Sequence, residues 1–252
     1  MKSNTYKNIL YFIIFILIVS ILYYSDEQWE DVRTSVKTRT LAKDGFVVLH
    51  DDRYRQTVDK PCSALHNDVL AMLPPGYEFM DYVYQIHNVA LSTFHRDVTS
   101  SQKIYHTRWP VYTLILYQYD GELLSLCPGS HSSYPFVWSR IVNIHGTKGT
   151  AFLFDCDVLH AGCINQCKER KVIQYKICHR EDRERLSHLS GVRMTKTDVC
   201  ELSFYSLAMR KMSYYFEFPV NYLFYPLMTK RESDDSMIGK IQGMIPIKYY
   251  NN

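Results

Sequence analysis

The sequence has no block of basic residues and no large excess of charge of either sign. Its 29 lysine and arginine residues are nearly balanced by 26 aspartate and glutamate residues, giving a net charge of +3. Proteins that bind nucleic acid concentrate positive charge in one segment or on one face. The sequence therefore predicts no nucleic-acid partner.

The cysteines do not have the spacing of a small disulfide scaffold, and their count of seven is odd. At least one thiol is therefore free or pairs with another chain. Cys163 and Cys167 could form a disulfide in an oxidising compartment, stay as free thiols, or join a zinc site with His160 or Cys178. The sequence also lacks an Asn-x-Ser/Thr site, so glycosylation gives no support to a lumenal location.

The overall composition is that of a globular protein rich in sheet. The 252 residues allow one large domain or two small ones. Hydrophobic residues make up 46% and charged residues 22% of the chain, which is ordinary for a globular protein. The 21 tyrosines and 12 phenylalanines suit strands.

The most apolar stretch lies near the N-terminus, where residues 9–24 (ILYFIIFILIVSILYY) include no charged side chain. As a helix this stretch would be about 24 Å long at about 1.5 Å per residue, slightly shorter than a bilayer core of about 30 Å. We interpret it as a single transmembrane signal anchor. A cleaved signal peptide and a buried core helix are the alternatives, although residues 22–25 offer no small-residue cleavage site.

The charges on the two sides of this stretch predict its orientation. Lys2 and Lys7 precede it. Four carboxylates follow it, at Asp26, Glu27, Glu30 and Asp31. The positive-inside rule then places the tail of residues 1–8 in the cytosol. The remainder of the chain, beyond a stem at 25–38, would lie on the far side of the membrane as in a type II protein.

His95 and Asp97 form the motif with the clearest chemical meaning. The two residues are two positions apart, so in a strand their side chains would project from the same face. An imidazole and a carboxylate are two of the three ligands in the facial triad that holds Fe(II) and leaves positions open. A lone His-x-Asp is common by chance, so the interpretation depends on a third ligand.

His160 is the best candidate for that third ligand. It lies at the end of an apolar, strand-like run that begins at Gly149, and a turn follows it. Ten residues later comes Arg170, whose planar guanidinium suits a carboxylate. This ordered set is what an iron oxygenase with a dicarboxylate co-substrate needs, with Lys171 as the alternative cation.

Several further segments predict short strands separated by turns. Val111–Tyr119 and Glu122–Leu126 are predicted strands, and the Asp-Gly pair between them is a hairpin signal. Lys171–Cys178 is another strand, and Ser63–Leu73 has helical spacing. Residues 179–198 are polar and predict a loop or a helix. Many short strands with Gly and Pro turns indicate a double-sheet jelly roll or a barrel.

Taken in order, these residues resemble the phytanoyl-CoA dioxygenase family of Fe(II)- and 2-oxoglutarate-dependent oxygenases. The matching pieces span roughly residues 39 to 180. They are Leu41-Ala-Lys-Asp-Gly-Phe-Val-Val-Leu49, His95-Arg-Asp97, Gly121-Glu-Leu123, Cys127-Pro-Gly-Ser-His131, Gly149-Thr-Ala-Phe-Leu-Phe-Asp155, His160-Ala-Gly162 with Asn165, and Arg170. The segment between Asp97 and Cys127 is short beside the family's usual one, and an N-terminal anchor is foreign to its commonest members.

The resemblance implies a mainly β fold with flanking helices (α+β), built on a double-stranded β-helix core of the jelly-roll or cupin type. In it, His95, Asp97 and His160 would be the metal ligands and catalytic residues, and Arg170 would bind the far carboxylate of 2-oxoglutarate. The implied cofactors are Fe(II), 2-oxoglutarate and O2, with ascorbate as a candidate reductant. Because the family's halogenases lack the carboxylate ligand, Asp97 favours hydroxylation with release of succinate and CO2.

The oxygenase domain is predicted to span residues 39–228, with an aromatic-rich helical cover at its C-terminal end. Residues 229–252 form a predicted polar tail. His131 is predicted to brace the mouth of the barrel. The substrate stays open among lipids, acyl chains, small metabolites and protein side chains. The alternative functions are a catalytically inactive jelly roll that binds a ligand and a structural membrane protein.

Overall fold

The computed structural model describes residues 2–24, 27–55, 62–89, 91–133, 139–165, 170–196 and 202–217. The helices in these ranges are α1 (Lys2–Tyr24), α2 (Val32–Thr38), α3 (Leu41–Asp44), α4 (Ser63–Met72), α5 (Gln102–Tyr105) and α6 (Phe204–Tyr215). The strands are β1 (Gln28–Asp31), β2 (Phe46–His50), β3 (Tyr77–His87), β4 (Tyr112–Tyr117), β5 (Gly121–Leu126), β6 (Val142–Gly146), β7 (Thr150–Asp155), β8 (His160–Gly162), β9 (Lys171–His179) and β10 (Gly191–Lys196). Short 3-10 helices lie at Asp52–Arg55, Val98–Ser100 and Arg180–Leu186.

The strands form two sheets. The smaller sheet has the order β1-β6-β5-β8, and the larger has the order β10-β3-β9-β4-β7-β2. Neighbouring strands are antiparallel, except that β1 pairs with β6 and β10 pairs with β3 in parallel. This mainly β arrangement with flanking helices is consistent with the predicted jelly-roll core.

The main core lies between the two sheets. Leu124 and Ile144 of the smaller sheet belong to one buried cluster with Ile115 and Phe152 of the larger sheet. On the other side of the larger sheet, α4 covers a second apolar cluster. This helix confirms the prediction at Ser63–Leu73. Side chains on the inner face of the larger sheet therefore line the space between the two sheets.

The hairpin predicted at Asp120-Gly121 is wrong. Strand β4 pairs with β7 and β9, whereas β5 pairs with β6 and β8, so the turn carries the chain from one sheet to the other. A tight hairpin of the Asp-Gly type needs a positive φ at both central residues. Gly121 has a φ of +126°, but Asp120 is not among the described residues with positive φ.

The polar segment at 179–198 is also more ordered than predicted. After the 3-10 helix Arg180–Leu186, strand β10 pairs in parallel with β3 at the edge of the larger sheet. Its side chains are mostly exposed, with Val192 at 70% and Met194 at 57%. Because β10 has no buried face, burial does not impose on it the alternation of apolar and polar residues by which a strand is recognised in a sequence.

Helix α1 includes the predicted anchor at residues 9–24. Every side chain from Tyr6 to Val19 is exposed, so the alternative of a buried core helix is wrong for residues 9–19. Among the residues that could be searched, no helix combines the length and the apolar character needed to cross a membrane.

Candidate metal centre

His95 and His160 are held side by side by a pair of backbone hydrogen bonds. The amide of His95 donates to the carbonyl of His160 over 2.9 Å, and the amide of His160 donates back over 3.0 Å. His160 begins β8, but His95 lies in an isolated bridge rather than in a strand. Asp97 comes immediately before a 3-10 helix whose Ser100 donates to the Asp97 carbonyl. His95 and Asp97 therefore do not lie together on one strand.

The side chains of these three residues nevertheless converge. Asp97 Oδ1 lies 3.9 Å from His95 Nε2 and 3.8 Å from His160 Nε2. Among the described residues, this is the one group of three or more ligating side chains whose donor atoms lie within 4.8 Å of one another. Two atoms that each bind one ion at about 2.1 Å lie roughly 3 to 4 Å apart. The structure thus brings together the three residues that the sequence singled out.

The hydrogen bonds of both imidazoles direct Nε2 towards the candidate metal position. His95 Nδ1 lies 2.8 Å from the Thr93 carbonyl, and His160 Nδ1 lies 3.0 Å from the Val158 carbonyl. A carbonyl can only accept, so each Nδ1 must donate, and in the neutral form of either ring the lone pair is on Nε2. Burial, followed by the proximity of His95, lowers the pKa of His160 to about 4. His160 is therefore neutral and able to coordinate at pH 7.

Asp97 presents one oxygen to the histidines and the other to a buried cation. Its Oδ2 accepts hydrogen bonds from Lys176 Nζ at 2.7 Å and from Thr113 Oγ1 at 2.5 Å. Burial alone would raise the pKa of Asp97, but the charge of Lys176, with smaller contributions from His160 and His95, holds it well below its usual range. The carboxylate is therefore ionised and has one oxygen free.

Arg170 reaches the same side of β8 as His160. Its side chain is buried, and Nη1 donates to the Val89 carbonyl over 2.6 Å. A Cβ on Gly162 would lie only 2.3 Å from Arg170 Nη2. Side chains two apart on a strand share a face, so the guanidinium occupies the side of β8 on which His160 lies. The Nε of Arg170 is buried without a hydrogen-bond partner among the described residues. Lys171, the alternative cation, is exposed.

Arg96 lies between His95 and Asp97 in the sequence, and its side chain anchors this segment in the interior. Its side chain is fully buried, and it pairs with Glu217 over 2.6 Å. It also donates to the carbonyls of Ser130 and Asp157, and Ser130 Oγ accepts from the amide of Leu159. The predicted turn at Cys127–His131 therefore braces the residue next to His160.

Replacing Arg96 with methionine is expected to lower the free energy of unfolding by about 3–5 kcal/mol, because the Glu217 carboxylate would lose its cation in the interior. Denaturant unfolding of the metal-free chain measures the change. The matched control is Arg183→Met, which breaks an equally short but exposed ion pair with Glu78. That control is expected to change stability by less than about 1 kcal/mol. Equal losses in the two variants would contradict this account.

Helix α6 ties together the segments that carry the two histidines. Arg210 Nη1 donates to the carbonyls of Ser92 (2.5 Å) and Gly162 (2.7 Å). Ser213 Oγ accepts from the amide of Phe94 over 2.8 Å. The helix lies within the predicted C-terminal cover. Residues 218–228 of that cover and the predicted tail at 229–252 lie outside the described residues.

The cysteines contribute no further metal site in the described part of the chain. Cys163 is a free, buried thiol whose sulfur lies 3.2 Å from Ser125 Oγ. Burial raises its pKa to about 11, so it is protonated at neutral pH. Cys178 is also free. Cys167 lies outside the described residues. Among the described residues, the candidate metal-binding group that includes His160 consists of His95, Asp97 and His160 and contains no cysteine.

No protein-family model matches this chain, and no curated protein matches it. The resemblance to the phytanoyl-CoA dioxygenase family therefore stays a prediction. The solved structures to which the chain is similar include one named as an alpha-ketoglutarate-dependent enzyme and others with 2-oxoglutarate bound. HygX from Streptomyces hygroscopicus, with nickel and 2-oxoglutarate bound, is 14% identical over 66% of this chain and 97% of its own, with a TM-score of 0.44.

Two further structures are of the same kind. The non-heme alpha-ketoglutarate-dependent epimerase SnoN from nogalamycin biosynthesis is 12% identical over 59% of this chain and 82% of its own, with a TM-score of 0.39. EvdO2 from Micromonospora carbonacea var. aurantiaca, complexed with 2-oxoglutarate, is 12% identical over 54% of this chain and 86% of its own, with a TM-score of 0.40. At such low identity and TM-score, function has to be inferred from the residues of the chain itself.

Proposed function

We propose that the chain is an Fe(II)- and 2-oxoglutarate-dependent dioxygenase that hydroxylates its substrate and releases succinate and CO2. The observation that carries the proposal is the convergence of two imidazole Nε2 atoms on one oxygen of Asp97. Both imidazoles donate through Nδ1 to backbone carbonyls, so in the neutral rings the converging Nε2 atoms carry the lone pairs. Two histidines and one carboxylate are the donor set of non-heme Fe(II) oxygenases.

The residues present fit both iron and 2-oxoglutarate. His95, Asp97 and His160 would hold the ion, which when bound would supply the coupled oxidation of 2-oxoglutarate and substrate by O2. Arg170 would receive the far carboxylate of 2-oxoglutarate, because its Nε has no hydrogen-bond partner among the described residues. Ascorbate is the reductant we propose for keeping the iron in its ferrous state.

Hydroxylation is the reaction class we propose because the carboxylate ligand is present. Asp97 is ionised and pinned by Lys176 and Thr113, so its place is not free for a halide. We leave the substrate as a lipid, an acyl chain, a small metabolite or a protein side chain. No nucleic-acid partner is proposed.

Membrane attachment through residues 9–24 is part of the proposal, with residues 1–8 in the cytosol and the catalytic domain on the far side. The support is the exposure of an uninterrupted apolar run, from Ile9 at 51% to Val19 at 44%. Carbonate extraction of membranes from cells that express the full chain tests the attachment. We expect the chain in the pellet, and recovery of the chain in the carbonate wash would contradict the attachment.

The test of the enzymatic proposal is succinate release from 2-oxoglutarate by the purified full chain, with and without Fe(II). Slow turnover without the prime substrate is expected, so no substrate has to be guessed. We expect succinate that requires iron and is absent in the Asp97→Ala variant. Succinate at the same rate without iron, or in that variant, would contradict the proposal. Complete absence of turnover and of 2-oxoglutarate binding would favour the catalytically inactive jelly roll.

A further inference from the structure

We propose that Lys176 is a positioning residue that restricts Asp97 to a single metal-facing oxygen. The inference rests on the proposed iron function, and it assigns a role to a residue outside the three ligands and Arg170. Lys176 lies on β9, on the inner face of the larger sheet, and its side chain is only 2% exposed. A lysine is among the side chains least often fully buried, so its presence here requires a reason.

The contacts of Lys176 fix the position of its ammonium group. Nζ donates to Asp97 Oδ2 at 2.7 Å, to Ser100 Oγ at 2.8 Å and to Thr113 Oγ1 at 2.7 Å. An ammonium group has three N–H donors, and these three short bonds account for them, with the Cys156 sulfur a further, longer contact at 3.6 Å. None of the three is directed to a backbone carbonyl. The lysine is therefore dedicated to the side chains around Asp97.

Thr113 supports the same oxygen from the neighbouring strand. It is opposite Lys176 in the register of β4 and β9, and its hydroxyl donates to Asp97 Oδ2 over 2.5 Å. Two donors from two adjacent strands therefore hold Oδ2, whereas Oδ1 faces both histidine Nε2 atoms. The two oxygens of the Asp97 carboxylate therefore differ: Oδ2 is held by hydrogen bonds, and Oδ1 is directed towards the candidate metal position.

This division matters because an ion bound by the facial triad must keep positions open. A carboxylate that binds through both oxygens occupies one more position than a carboxylate that binds through one. 2-Oxoglutarate chelates through two positions, and O2 needs another. We infer that Lys176 and Thr113 keep Oδ2 away from the ion, so that the third position stays free. Without them, Asp97 would be able to rotate and take that position.

The experiment uses the full chain loaded with Mn(II) in place of iron. The number of metal-bound waters is measured from line broadening by oxygen-17 water, and 2-oxoglutarate affinity is measured by equilibrium dialysis. The variants are Lys176→Met and Thr113→Val, and the control is Lys37→Met, which removes an exposed lysine on α2. We expect Lys176→Met to lose one metal-bound water and to bind 2-oxoglutarate at least about tenfold more weakly. Thr113→Val is expected to show a smaller change in the same direction, and the control none.

The outcomes separate the two proposals. Absence of Mn(II) binding by the unmodified chain would overturn the proposed metal centre itself. Normal Mn(II) binding with an unchanged water count and unchanged 2-oxoglutarate affinity in both variants would overturn the role of Lys176 alone. If Lys176→Met does not fold, Thr113→Val decides the question, because it removes one donor to Oδ2 and leaves the ion pair in place.

Discussion

Replacing His95 with alanine is expected to reduce iron-dependent succinate release by at least about 100-fold, because changes in the outer shell of a metal site alone cost 10- to 100-fold. His95 supplies one of three converging donors, and its Nδ1 is already committed to the Thr93 carbonyl. Loss of the ring would leave the ion with Asp97 and His160. The measurement is the initial rate of succinate formation at saturating Fe(II) and 2-oxoglutarate.

The matched control for this variant is His145→Ala. His145 lies on β6 with an exposed side chain, so its removal changes the histidine count without touching the centre. The control is expected to retain the full rate. Unchanged turnover in the His95 variant, with normal iron content, would show that the three residues do not form the catalytic centre.

The second large effect is expected at Arg170. Replacing it with methionine should raise the KM for 2-oxoglutarate by about 100-fold or more, because two hydrogen bonds between charged groups would be lost at about 1.5–3 kcal/mol each. The rate at saturating 2-oxoglutarate should change much less, since the three converging donors would stay in place. Steady-state kinetics in 2-oxoglutarate separates the two parameters.

Gly162→Ala tests the same contact from the other side. An added Cβ would lie 2.3 Å from Arg170 Nη2, so the guanidinium must move. We expect this variant to raise the KM in the same direction as Arg170→Met. Lys171→Met, in contrast, should leave the KM unchanged because the side chain is exposed. A KM that responds to Lys171 and not to Arg170 would reverse the assignment of the cation.

The convergence of His95, Asp97 and His160 was predictable because it follows from residue type and order. His95, Asp97, His160 and Arg170 are the chemical types that an iron and dicarboxylate site needs, and the structure brings the three ligands together. Local conformation was less predictable. The two-residue spacing of His95 and Asp97 would place their side chains on one face of a strand, but the side chains converge through a bridge and a 3-10 turn instead. Pairing between distant segments decided this outcome.

The supporting residues could not be found from the sequence in the same way. Lys176 contacts Asp97 across 79 positions, and Arg96 contacts Glu217 across 121. A signal did exist for Lys176, since it is the one charged residue on the inner side of β9 beside Val172 and Gln174. An inward lysine in a buried strand requires a buried partner. No comparable sequence pattern marked Glu217, because its partner Arg96 is identified only by the folded structure.

The most direct measurement of the central claim is 2-oxoglutarate binding to the full chain by anaerobic equilibrium dialysis, with and without Fe(II). We expect one 2-oxoglutarate per chain in the presence of one Fe(II), and no binding without the metal. The Asp97→Ala variant should lose both. Binding of 2-oxoglutarate without metal, or failure of the unmodified chain to retain Fe(II), would contradict an iron centre built from His95, Asp97 and His160.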